Sequence, residues 1–226
     1  MNIFNLGKGP KSYRNQVNED VRVVTPLNLG WLEKKLSDQE MDYLWKCIEN
    51  KKENNNKRLA GNIHASYLLM DRGDWFFSNT ISPLLTRYHE EFYNIGEKIP
   101  LNAKHDYYMN QWWVNYQKQC EFNPSHDHGG VYSFVIWMKI PYKSKDQLNI
   151  PIARDSNYAS NGSFALHFID ILGQQRSHHY HLNPEDEGRM LFFPSQLHHC
   201  VYPFFECDED RITVSGNILL NTAKSL

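Results

Sequence analysis

Asn123-Pro-Ser-His126-Asp127-His128-Gly129-Gly130, followed by the apolar run Val131 to Ile140, is the stretch around which the chain is organised. In a β-strand, residues i and i+2 share a face. His126 and His128 can therefore aim both imidazoles at one point, as two metal ligands from one strand would. Asp127 then faces away, unless the backbone bends enough to make it the carboxylate ligand in place of His128. Pro124 opens the motif, and Gly129-Gly130 permits a sharp turn or a close backbone approach. A His-x-His pair alone is equally the mark of two ordinary hydrogen-bonded histidines, so its weight rests on the rest of the chain.

Two downstream stretches add that weight. The first is Phe193-Pro-Ser195-Gln-Leu197-His198-His199-Cys-Val201-Tyr-Pro203. Alternation puts Leu197, His199 and Val201 on one face, which makes His199 the inward ring and His198 the exposed one. The second is Arg211-Ile-Thr213-Val-Ser215. A guanidinium fork binds a carboxylate through two bonds, and Thr213 on the same face can donate to the same group. The competing reading is a salt bridge from Arg211 to Glu206, Asp208, Glu209 or Asp210. Asn115 and Tyr116, upstream of the His pair, can line the same pocket. Trp112 and Trp113 read as core or pocket wall.

Helical signals come first along the chain. Residues 1–20 read as an irregular start and Val21–Pro26 as a short strand. Ser37-Asp-Gln-Glu40 is a capping box before Met41, Leu44, Trp45 and Ile48 at helical spacing. Ile81, Leu84, Leu85, Tyr88, Phe92 and Ile95 form a second stripe, with Pro83 in its first turn. From Tyr107 the periodicity is two, with strands expected at 107–119, 131–140, 163–171, 178–182, 189–193, 199–202 and 211–220. Residues 141–161 read as a long polar loop. Helices followed by about seven strands predict an α+β fold. The whole of 1–226 is expected to be a single domain, with a helical and irregular part over 1–104 and a β core over 105–222.

Composition narrows the classes of function. A net charge of -2 argues against a nucleic-acid footprint. No apolar run is long enough to cross a membrane. The first residues lack the charged-then-apolar pattern of a signal peptide, and the four cysteines make no Cys-x-x-Cys pair. A reducing cytoplasm is the expected setting. His167, His178, His179 and His181 leave a second metal site open, against the simpler reading of exposed or hydrogen-bonded histidines.

Taken together, the His pair, His199 and Arg211-x-Thr213 resemble the iron(II)- and 2-oxoglutarate-dependent oxygenases. Ser133, Trp137, Pro141 and the stretch Gly162 to Asp170 extend the resemblance to a branch with His-x-His in place of the usual His-x-Asp or His-x-Glu. His199 precedes Val201 and Pro203 at the spacing of the relatives' His-x-Val-x-Pro. The resemblance implies a double-stranded β-helix (jelly-roll) core with the N-terminal helices packed on it. It implies Fe(II) held by His126, His128 and His199, and 2-oxoglutarate held by Arg211 and Thr213, with Asn115 at the same pocket. No catalytic residue is expected beyond the metal site. The implied reaction consumes molecular oxygen and hydroxylates a substrate the sequence does not name, releasing succinate and CO2. Two other readings stay open: a three-histidine cupin-type metal dioxygenase that needs no 2-oxoglutarate, and a non-catalytic jelly-roll protein with a vestigial site.

Overall fold

The computed structural model describes residues 28–101 and 103–222. The expected irregular start and the strand at Val21–Pro26 lie outside them. The regular elements are β1 (Leu32–Lys35), α1 (Asp38–Glu49), β2 (Ala65–Leu68), α2 (Ser82–Glu91), β3 (Tyr107–Gln117), β4 (Asn123–His126), β5 (Tyr132–Lys139), α3 (Ser144–Asn149), β6 (Phe164–Ile169), β7 (Gln175–Tyr180), β8 (Arg189–Pro194), β9 (His199–Val201) and β10 (Arg211–Leu220).

The capping box forms as read. Glu40 N donates to Ser37 Oγ at 3.3 Å, and Ser37 N donates to the Glu40 carboxylate at 2.8 Å. The second stripe yields a shorter helix than expected. A π-helical turn, Phe77–Ile81, leads into α2, and the chain leaves helical geometry at Phe92. Phe92 folds its ring back onto Tyr88, with centroids 4.7 Å apart. Ile95 falls in a separate 3-10 turn. The polar segment 141–161 is not featureless. It contains α3, tied down by buried Gln147, which donates to Phe205 O and accepts from Phe205 N at 2.8 Å each.

The strands form two antiparallel sheets, ordered β1-β8-β5-β10-β3-β2 and β4-β9-β6-β7. Both faces of the larger sheet are covered, which explains why β5 is buried from Tyr132 to Met138 rather than alternating. One face, carrying Trp112, Tyr132, Phe134 and Phe192, shares a buried cluster with Leu44, Ile48, Leu84 and Tyr88. The other, carrying Val135, Trp137, Leu191 and Phe193, packs against Phe164, Leu166 and Tyr180 of the smaller sheet. Two sheets facing each other across such a core make a jelly-roll-like architecture. The cleft between them opens where β3 and β10 present polar side chains inward.

Gly216, inside β10, marks the closest approach in this packing. A Cβ there would stand 2.7 Å from the Phe134 ring and from Trp112 Cβ. Gly216→Ala is expected to cost about 1–3 kcal/mol through overpacking, read as a lowered urea midpoint. An unchanged midpoint would mean that the sheet and its covering layer are looser than described.

Candidate metal centre

Strand pairing brings the first two rings together. β4 lies antiparallel to β9 with His126 directly opposite His199, and their ring centroids are 4.3 Å apart. The expectation that His126 and His128 project from one strand needs correction. β4 ends at His126, and His128 sits in the turn beyond. That turn is held by His128 N donating to Ser195 O (2.9 Å) and Val131 N donating to Ile218 O (2.8 Å). Gly130 makes it possible: its φ is +106, and a Cβ would meet Ile218 O at 2.9 Å. The His128 ring then lies 5.0 Å from His126 and 4.9 Å from His199. One nitrogen from each of the three rings lies within 4.8 Å of the other two.

The backbone selects which nitrogen is free. Pro124 O lies 2.7 Å from His126 Nδ1, and Leu197 O lies 3.0 Å from His199 Nδ1. A carbonyl only accepts, so the proton sits on Nδ1 and the Nε2 lone pair is available. The Trp113 ring packs edge-on against His128 at 5.8 Å. Burial pushes the imidazolium pKa of His199 down to about 3 and that of His128 to about 4, with repulsion from the neighbouring rings adding to both, and burial lowers that of His126. Near neutral pH all three are uncharged, which is the form that binds metal. Asp127 turns outward, its carboxylate 3.9 Å from His198 Nε2, with both side chains half exposed. Three neutral nitrogen donors on one side of a common centre suit a divalent first-row metal with open positions.

A cavity of about 210 Å³ adjoins the rings. Trp137, Phe164, Phe193 and Val201 give it an apolar wall, while Asn115, Gln117 and Thr213 give it a polar one. Thr213 and Asn115 face each other across the β10–β3 ladder, and Asn115 Oδ1 is buried with no hydrogen-bond partner. Trp113 also lines the cavity, whereas Trp112 lies in the core. Tyr116 does not line it. Alternation sends Tyr116 to the opposite face, where it packs against Tyr67.

Arg211 is 1% exposed and is screened from the cavity by Gln117. Its five N–H groups are all used. Nε and Nη2 donate to Gln117 Oε1 at 3.2 and 2.6 Å, Nη1 donates to the Tyr142 hydroxyl and to Gly162 O (2.9 Å), and Nη2 also donates to Tyr202 O (3.1 Å). None of the neighbouring acidic residues pairs with it. Glu209 binds Lys139, and Asp208 accepts from Gln119. Among the described residues the guanidinium has no carboxylate partner. Gln117, the residue that faces it, is a site residue that sequence reading missed.

The other histidines do not assemble. His178 turns to Trp31, His179 and His181 stack at 6.0 Å, and His167 Nε2 lies 3.3 Å from Cys200 Sγ. Among the described residues, His126, His128 and His199 are the only His, Cys, Asp or Glu group close enough to share one metal ion.

Comparison with known proteins bears on this site. Residues 111–217 match the family described as "Putative 2OG-Fe(II) oxygenase", a span holding all three histidines and Arg211. Over that span the chain is similar to the iron(II)- and 2-oxoglutarate-dependent oxygenases. Iron(II) and 2-oxoglutarate are the groups that the matched family's description names. The chain resembles the crystal structure of a Pseudomonas putida prolyl-4-hydroxylase at 15% identity, over 85% of this chain and 94% of that one, with a TM-score of 0.53. That likeness concerns the fold. The 2-oxoglutarate complex of a viral collagen prolyl hydroxylase from Paramecium Bursaria Chlorella virus-1 is 14% identical over 83% of this chain and 94% of that one, with a TM-score of 0.47. No curated protein matches the sequence.

Two expectations follow for this centre. His199→Ala should lose bound metal while His198→Ala keeps it, read by metal analysis after desalting; the reverse pattern would move the ligand to His198. The metal-free protein should also be acid-sensitive. A ring held neutral in the fold takes up a proton on unfolding once pH falls below its ordinary value near 6.5, so stability drops from there toward the folded values of about 3 to 4. The slope is about 1 kcal/mol per pH unit for His199, which is 4% exposed. Urea midpoints that stay level from pH 7 to 5 would contradict the buried neutral rings.

Proposed function

We propose that His126, His128 and His199 hold one iron(II), and that this oxygenase couples 2-oxoglutarate and molecular oxygen to hydroxylation of a substrate still to be identified. The products are succinate, CO2 and the hydroxylated substrate. The observation that carries this reading is the convergence of three neutral imidazoles on one point beside a cavity, within the span that matches the family. Iron, when bound, supplies the open positions at which the cosubstrate and oxygen are brought together.

The chain's own residues do the rest. His126 and His199 are fixed in tautomer and direction by backbone carbonyls, so the donor set is pre-organised. No protein carboxylate offsets the metal charge, leaving about +2 at the centre where a His-x-Asp site would leave about +1. Such a centre favours an anionic ligand. The apolar wall of Trp137, Phe164 and Val201 excludes water from the space beside it. We assign Arg211 and Thr213 to the distal carboxylate of 2-oxoglutarate, with Asn115 alongside. A buried guanidinium without an anion is costly, and an incoming carboxylate offsets that cost. In this reading the described chain acts as one oxygenase unit, with the helical arm backing a double-stranded β-helix. No helix among the described residues is long and apolar enough to cross a membrane, and the four cysteines are unpaired; we place the protein in the cytoplasm on those grounds.

One observation favours a second reading. Every Arg211 donor is already occupied, as in a three-histidine dioxygenase with no need of 2-oxoglutarate. Anaerobic titration separates the two. With Fe(II) bound, 2-oxoglutarate should produce a weak visible charge-transfer band and a rise in melting temperature. Arg211→Ala should keep iron and weaken 2-oxoglutarate binding by roughly thirtyfold or more. A flat spectrum with iron bound would favour the second reading, and undiminished affinity in the variant would remove Arg211 from the cosubstrate site.

A further inference from the structure

Arg211 raises a problem of charge. It lies almost wholly buried beside the stacked rings of Tyr142 and Phe204, 5.7 and 5.4 Å from their centroids. Among the described residues no carboxylate neutralises it, although burying an unpaired charge costs several kcal/mol. The group nearest to a counter-ion is the Gln117 carboxamide. Gln117 Oε1 accepts from both Nε and Nη2, the edge of the guanidinium to which a carboxylate binds. Gln117 Nε2 donates to Glu121 O at 2.6 Å. The same side chain lines the cavity that leads to the three histidines.

We propose that Gln117 is an internal, displaceable substitute for the cosubstrate's distal carboxylate: its carboxamide closes the Arg211 pocket until a dicarboxylate enters. This rests on the cosubstrate reading given above. A neutral amide fits the role because it satisfies the guanidinium's geometry without supplying its missing charge. It keeps the buried cation hydrogen-bonded in the resting protein, yet a true carboxylate outcompetes it, since ion-paired hydrogen bonds are roughly twice as strong as neutral ones. A glutamate at this position would seal the pocket instead.

The surroundings provide for the displaced amide. Asn115 is two residues from Gln117 on the same strand and lines the same cavity, and its Oδ1 is buried without a partner. When Gln117 swings away from Arg211, its N–H groups can donate to that acceptor. The exchange also confers selectivity. A keto acid too short to reach the guanidinium leaves Gln117 in place and gains nothing from the buried charge.

Two variants test this, with the iron-loaded protein and 2-oxoglutarate titrated anaerobically. Gln117→Glu pairs with Arg211 internally and should bind 2-oxoglutarate at least about tenfold more weakly, with iron content unchanged. Gln117→Ala removes the competitor: its unliganded form should melt lower than wild type, its 2-oxoglutarate affinity should equal or exceed wild type, and its ligand-induced rise in melting temperature should be larger. Wild-type affinity in Gln117→Glu overturns the proposal, because the side chain then lies off the ligand's path. Loss of affinity in Gln117→Ala overturns it too, because Gln117 then holds the ligand rather than yielding to it. This second variant decides the matter if Gln117→Glu does not fold. Wild-type protein that holds iron but binds no 2-oxoglutarate would instead remove the cosubstrate reading itself, before either variant is compared.

Discussion

A single cross-strand pair, His126 opposite His199, fixes the position of the centre. It joins β4 to β9 at the edge of the smaller sheet, and the ladder between them is irregular, with only Asn123 and His126 in register with β9. The pair must hold against entropy with few backbone bonds of its own. It is braced by the turn through Gly130, which ties His128 to Ser195 and Val131 to Ile218. The metal site therefore depends on the closure of both sheets at one end of the cleft. Its rigidity comes from the doubly covered larger sheet, which carries β5, β8 and β10 up to that end.

The second constraint is the distribution of charge in the cleft. Three uncharged imidazoles at one end and one unneutralised guanidinium near the other leave the space between them short of negative charge. Gln117, Asn115 and Thr213 are polar but neutral, so the protein supplies hydrogen bonds there without supplying an anion. In the proposed reading, a doubly charged, elongated ligand with an apolar middle meets all three demands: metal, apolar wall and guanidinium. That complementarity links the third uncharged ring, His128, to the lack of an acidic partner for Arg211.

The central strands were legible because two-residue alternation and β-branched or aromatic content agree. β10 runs over the residues expected, Arg211–Leu220, and β3 and β5 differ from expectation by one or two residues at their ends. The short edge strands were not legible. β1 and β2 have four residues each, too few for periodicity to register. β4 contains Pro124, which in sequence argues against a strand, yet as an edge strand with a bulge it accommodates proline and still delivers His126. The choice of His199 over His198 followed from the resemblance's His-x-Val-x-Pro spacing together with alternation, and the geometry places His199 inward with His126 and His128. The separate placement of His128 in a turn depends on Gly130 meeting Ile218 O, a contact 88 residues away in sequence that no local pattern reports. Gln117 gave no signal because an amide in a strand carries no chemical mark. Only the buried, anion-free surroundings of Arg211 give it meaning, and four nearby acidic residues hid that in the sequence.

The proposed centre is three imidazoles, and no carboxylate from the chain, around one iron. X-ray absorption at the iron edge of the Fe(II)-loaded protein without cosubstrate measures this directly. The spectrum should carry the multiple scattering of three histidine rings, with the remaining ligands fitted as water oxygens. Two rings together with a carboxylate in the fit, lost in Asp127→Asn but kept in His128→Ala, would put Asp127 on the metal and contradict the three-histidine centre.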